Sequence, residues 1–145
     1  TAVEDRRRAV VYPAEQKYVQ TQYGVYETLL SHFRNRLREN RPNNKLVVLG
    51  YSFSDEHINA VIEDSIRAEG SNLTVYAFVG PEEDAEEQEN RFRKIAERCD
   101  HRFNVFMGQH SYISSSIEPE EWKEIKKLNL WNFEELVNIM VGDEQ

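Results

Sequence analysis

A single cysteine, Cys99, is all the thiol chemistry this chain carries. No intrachain disulfide can form and a four-cysteine zinc site is excluded, which fits a reducing compartment. No apolar run approaches the roughly 20 residues that span a bilayer. No signal-peptide pattern stands at the start, so the expected setting is cytoplasmic, with no membrane partner, and the sequon Asn72-Leu73-Thr74 reads as accidental. An excess of basic charge is missing too, because the net charge is −8. Such a domain is ill suited to hold nucleic acid directly through its overall field. The local basic cluster Arg6-Arg7-Arg8 reads as a solvated terminus. There is no Gly-x-Ser-x-Gly elbow, no phosphate-binding lysine loop and no Asp-x-Asp calcium loop. Cys99, Asp100, His101 and His110 lie near one another in sequence, but adjacent ligands point in alternating directions, so no metal site is expected.

What is present suits one globular domain. The 145 residues are too few for two ordinary domains, and 39% hydrophobic with 30% charged residues excludes a disordered chain. Residues 1–8 are polar and expected to be disordered. Ala9-Val10-Val11-Tyr12 reads as a short strand stopped by Pro13. A helix is expected over 22–39, with Tyr26, Leu29, Leu30, Phe33 and Leu37 on one face and Arg34, Arg36 and Arg38 at the negative end of its dipole. Asn40–Asn44 is a loop.

A strand over Leu73–Val79 is broken by Gly80-Pro81, and the acidic run Pro81–Glu89 reads as a solvated helix face. That helix turns Phe92, Ile95, Ala96 and Cys99 inward. Phe103–Met107 reads as a further strand and Gln109–Ser116 as a loop. The segment 119–145 is expected to be helical, in a short helix from Pro119 to about Leu128 and another over 132–141. The latter carries Phe133, Leu136, Val137 and Met140, and Trp122, Trp131 and Phe133 are expected to form the patch that docks these helices. The order β-α-β-α-β-α-β-α-α predicts an α/β fold: a parallel, doubly wound sheet of about four strands, half of a Rossmann-like domain, with C-terminal helices.

The chain is organised around Lys45–Asn59. Leu46-Val47-Val48-Leu49 reads as a strand buried on both faces. Gly50 frees the backbone to turn or to approach a ligand. Ser52, Ser54 and Asp55 are all good caps for the helix whose stripe is Ile58, Val61, Ile62 and Ile66. Strand, tight turn and helix N-terminus together form the place where α/β folds hold phosphate-bearing ligands. Asp55 and Asn59, four apart, share a helix face. They can hydrogen-bond ribose hydroxyls, or they can cap the helix and tie the turn to a neighbouring loop, and both readings stay open. His57 points elsewhere and reads as a surface or packing residue. Tyr76 and Phe78 can stack on a base, but strand aromatics more often belong to a core.

Gly50-Tyr51-Ser52-Phe53-Ser54-Asp55-Glu56-His57-Ile58-Asn59 resembles the GYSF-x-D-x-x-I-N signature of bacterial SIR2-like proteins. These are relatives of sirtuins, and many act as NAD-consuming effectors in anti-phage defence. Val11-Tyr12-Pro13 and Lys17-Tyr18 resemble the segment preceding that signature, and the resemblance covers most of 9–80. It implies NAD as substrate and Gly50, Tyr51, Ser52, Asp55 and Asn59 as cofactor-binding residues. Gly50 and Ser52 match the first and third positions of the Gly-Thr-Ser turn that touches NAD in sirtuins, and Tyr51 replaces the threonine. The family's adenosine-contacting asparagine has no counterpart in Val75–Val79, so adenine contacts stay unassigned.

The catalytic asparagine and histidine of the family lie well before the signature. Only 49 residues precede Gly50 here, without a glycine-rich loop, and His32 is not in the matching segment. The resemblance therefore implies one partial domain over 1–145, the C-terminal half, with no catalytic residue. Thr1 in place of an initiator methionine fits a piece of something longer. The implied partners are the remainder of the SIR2-like domain, further copies in a homo-oligomer, or a sensor or ATPase module.

Overall fold

The computed structural model of the protein describes residues 15–142, so the strand expected over Ala9–Tyr12 lies outside the described residues, as does 1–8. The first helix, α1 (Glu15–Leu37), begins earlier than the periodicity suggests. No proline or glycine interrupts residues 15–23, so nothing there stops a helix. Leu30 and Leu37 are buried, and Tyr26 and Phe33 pack beside them. Leu29, expected on the same face, is instead 63% exposed. The inward stripe steps by four, three and four residues, and Leu29 falls outside it. Asn44 closes the helix, its Nδ2 donating to the Leu37 carbonyl at 2.9 Å.

Three parallel strands follow, β1 (Lys45–Leu49), β2 (Thr74–Val79) and β3 (Phe103–Met107), joined by α2 (Glu56–Arg67) and α3 (Ala85–Arg98). A fourth strand, β4 (Ser111–Ile113), pairs antiparallel with β3, giving the order β1-β2-β3-β4. The sheet is thus mixed, and the stretch expected to be a plain loop over Gln109–Ser116 contains its last strand. Gly108, at φ +55°, turns the chain, and His110 N–H closes the turn on the Met107 carbonyl at 3.3 Å. The architecture is α/β and Rossmann-like, with C-terminal helices α4 (Pro119–Ile125) and α5 (Phe133–Val141).

Alternation along the strands assigns the faces. Val75, Ala77, Val79, Phe103, Val105 and Met107 join Val61, Ile62 and Ile66 of α2 and Phe92, Ile95 and Ala96 of α3 in one core. Arg102 ties the two layers, its guanidinium donating to the Ile66 carbonyl at the end of α2 and to the Ser71 carbonyl at 2.6 Å.

On the second face Phe106 stacks between Phe78, at 5.1 Å, and Trp122 of α4, at 6.1 Å, while Tyr112 lies 4.8 Å from the same indole. The C-terminal segment therefore covers β3 and β4. Val47 of β1 is left 49% exposed, so β1 is buried on one face rather than both. Trp122 and Trp131 dock, the latter against Gly80, but Phe133 and Met140 stay 72% and 70% exposed. Glu135 accepts from the Asn129 backbone N–H and Nδ2, which rolls α5 so that Leu136 faces inward.

Cys99 closes α3 with its thiol fully buried, and burial, helped by nearby Glu63, pushes its pKa from the ordinary 9.0 to about 11. A thiolate is the reactive form. The native chain is expected to react with a disulfide reagent at pH 8 at least a hundredfold more slowly than the urea-unfolded chain. The unfolded thiol also loses its proton first, so this group's contribution to stability falls as pH rises from about 9 through 11. Equal labelling rates in the two states would refute the buried assignment.

Candidate functional site

The turn after β1 is built from two left-handed residues. Gly50 sits at φ +68°, exposed, and a Cβ placed there would meet nothing within 4 Å. Phe53 adopts φ +57° although it carries a ring. That ring is buried edge-on against Phe92 at 5.3 Å and Phe103 at 5.5 Å, and it holds the turn down on the core. On either side of Phe53, Ser52 and Ser54 stand exposed, and their hydroxyls, 3.0 Å apart, hold only each other.

Asp55 caps α2. One carboxylate oxygen accepts the His57 and Ile58 N–H groups at 2.9 and 3.2 Å, and the other accepts the Tyr26 hydroxyl of α1 at 2.9 Å. The Tyr26 hydrogen bond first, then these amides, hold its carboxyl below the usual carboxylate range, and the same bond raises the Tyr26 phenol. Asn59 donates from Nδ2 to the Phe53 carbonyl at 2.8 Å. The Tyr51 hydroxyl lies 2.9 Å from Asn59 Oδ1 and 3.1 Å from the Asp55 carbonyl, either of which can take its proton, and burial raises its pKa. Asp55, Asn59 and Tyr51 thus fasten the turn to α2 and α1. The groups left facing outward are the two serine hydroxyls and the open backbone at Gly50.

The turn opens into a groove of about 800 Å³ between α2 and α3, whose lining includes Ser52, Ser54, Asn59, Glu82, Arg91 and Lys94. That volume suits a ligand-sized occupant. Gly50, Tyr51 and Asp55 do not line it, so the structure brings only Ser52 and Asn59 of the five expected contact residues to its wall. His57 is exposed on α2. Cys99 is buried while His101 is exposed, and among the described residues no three His, Cys, Asp or Glu side chains gather as a metal site. Nor is any described helix long and apolar enough to cross a membrane.

Sequence reasoning missed Tyr26 and the Arg91–Glu82 pair. The one signal for Tyr26 was a hydroxyl-bearing residue at the outer end of an otherwise aliphatic and aromatic stripe. An open backbone at Gly50, paired hydroxyls and the cations Arg91, Lys94 and Arg98 suit a phosphate- and ribose-bearing ligand, while the carboxylates of Glu56, Glu63, Asp64, Glu82 and Glu87 on the same groove lining oppose one.

A parallel α/β core with a glycine-bearing turn at the carboxyl end of its β1 strand is the arrangement of a Rossmann-like domain. A sequence profile of the SIR2-like domain matches residues 3–99, and the chain belongs to that family. The match spans α1 to α3 and stops before β3. No curated protein matches the chain.

Proposed function

We propose that this chain is the C-terminal part of a SIR2-like NAD-hydrolysing domain of the anti-phage defence type. In it, the turn from Gly50 to Ser54 forms one wall of the dinucleotide site. NAD supplies the labile bond between nicotinamide and ribose. The chain's own residues bind and orient: the Gly50 backbone and Ser52 meet ribose and phosphate, while Tyr51, Asp55 and Asn59 keep the turn in shape. The groups that activate water or a ribose hydroxyl come from the remainder of the domain, in a cytoplasmic homo-oligomer or a complex with a sensor or ATPase module. The observation that carries this reading is the outward-facing turn, anchored by Phe53 and opening into the groove beside α2. A non-catalytic nucleotide-sensing module or a protein-interaction module is the second reading, the interaction module being the one that the apolar surface left open on α5 favours.

Calorimetry with ADP-ribose, and NAD turnover after adding the missing half, test these readings. Binding with turnover, both weakened several-fold by Ser52→Ala, is the expected result. Binding without turnover points to the sensor, and neither points to the interaction module.

A further inference from the structure

The α3 wall of the groove carries Arg91, Lys94 and Arg98 at i, i+3 and i+7, one helix face. Arg98 is committed, its Nε and Nη2 meeting both oxygens of Glu63 at 2.9 and 3.0 Å. Arg91 is held less completely. Its Nη2 meets Glu82 at 2.6 Å, its Nη1 reaches the other oxygen only at 3.4 Å, and its Nε is buried without an acceptor. A guanidinium offers five donors in a rigid fork, and a phosphate can take two of them side by side. Here the end of the fork is used, unevenly, while the Nε donor is idle. Glu82 and Arg91 are 41% and 38% exposed, so their pairing is screened and weakly held. Lys94, one turn along, forms no ion pair among the described residues.

We propose that Arg91 is the phosphate-recognising residue of this groove and that Glu82 is a resident counter-ion which a pyrophosphate-bearing ligand displaces. The inference rests on the dinucleotide reading of the Gly50–Ser54 turn. Turning off Glu82, the fork presents Nε and Nη2 to two oxygens of one phosphate, with Lys94 as a second point charge. Ser52 and Ser54 line the same groove. Glu82, until it is displaced, repels an incoming anion, as do Glu56, Asp64 and Glu87 of the same lining, whereas Glu63 is neutralised by Arg98.

The test titrates the intact isotope-labelled chain with inorganic pyrophosphate, ADP-ribose and adenosine, following side-chain N–H and backbone amide resonances. Pyrophosphate is expected to shift the Arg91 Nε–H signal together with the Ser52 and Ser54 amides. Arg91→Gln is expected to weaken pyrophosphate binding at least tenfold and to leave adenosine unaffected. Arg91→Lys, which keeps the charge without the fork, falls between. Glu82→Gln is expected to strengthen pyrophosphate binding threefold or more.

Opposite effects from the two members of one ion pair are what a merely structural pair would not give. Unchanged or weaker binding by Glu82→Gln overturns the proposal, as does a pyrophosphate response confined to residues outside the groove. If ADP-ribose binds wild type and Arg91→Gln alike, the Arg91 assignment falls and the dinucleotide reading stands. If pyrophosphate binds through Arg91 but ADP-ribose binds no more tightly, Arg91 stands as an anion site and the dinucleotide reading falls, together with the displaced ligand's identity.

Discussion

Phe53→Ala is expected to lower folding stability by about 3–5 kcal/mol, the range for removing a buried phenylalanine ring. The ring is 4% exposed and meets Phe92 and Phe103 edge-on and Tyr51 at a tilt. Its loss opens a cavity at the point where β3, α3 and the turn converge. Domains of this size are stable by only about 5–15 kcal/mol, so the change removes a large fraction of the total. The backbone adds a second test. Phe53 sits at φ +57°, where a side chain costs roughly 1–2 kcal/mol that glycine does not incur. Phe53→Gly is therefore expected to be no worse than Phe53→Ala, against the usual order of the two residues. Urea unfolding of both variants, with midpoint and slope compared, checks this. A loss below about 1 kcal/mol for Phe53→Ala would mean that the ring does not anchor the turn.

Gly50→Val is expected to weaken ADP-ribose binding tenfold or more. A Cβ at Gly50 meets no neighbour, so crowding is not the cause. The cost lies in the backbone, because a β-branched residue at φ +68° is strongly disfavoured and the turn must change course. Ser52 follows two residues later and moves with it. Gly50→Asn, which tolerates the left-handed conformation, is expected to retain most of the affinity. Calorimetry on the two variants separates conformation from bulk. If Val and Asn weaken binding equally, the left-handed turn is not what the ligand requires.

The periodic elements were legible in the sequence because burial writes itself into spacing. Val61, Ile62 and Ile66, and Phe92, Ile95 and Ala96, fall inward as their helical steps demand. β2 alternates as a strand covered more deeply on one side. β4 was not legible, since three residues carry too little pattern and its existence depends on Gly108 turning the chain back. The roll of α5 was hidden for a similar reason. An apolar helix with several candidate faces is fixed by the Asn129–Glu135 contacts, which no periodicity encodes. At the site, the glycine, the serines and the Asp55 cap were readable locally. The Tyr26–Asp55 bond joins residues 29 apart and needed the fold. Arg91 was masked by the acidic run around Glu82, which reads as a solvated surface until α3 aims the guanidinium into the groove.

The family match closes at Cys99, yet β3, which starts at Phe103, is buried at all five positions and supplies Phe103, Val105 and Met107 to the shared core. Arg102, which braces the end of α2, also lies past that boundary. The matched segment is thus shorter than the unit of folding. A chain trimmed where the match ends would lose the inner wall of its own interior, and α2 and α3 would have no third strand to rest on.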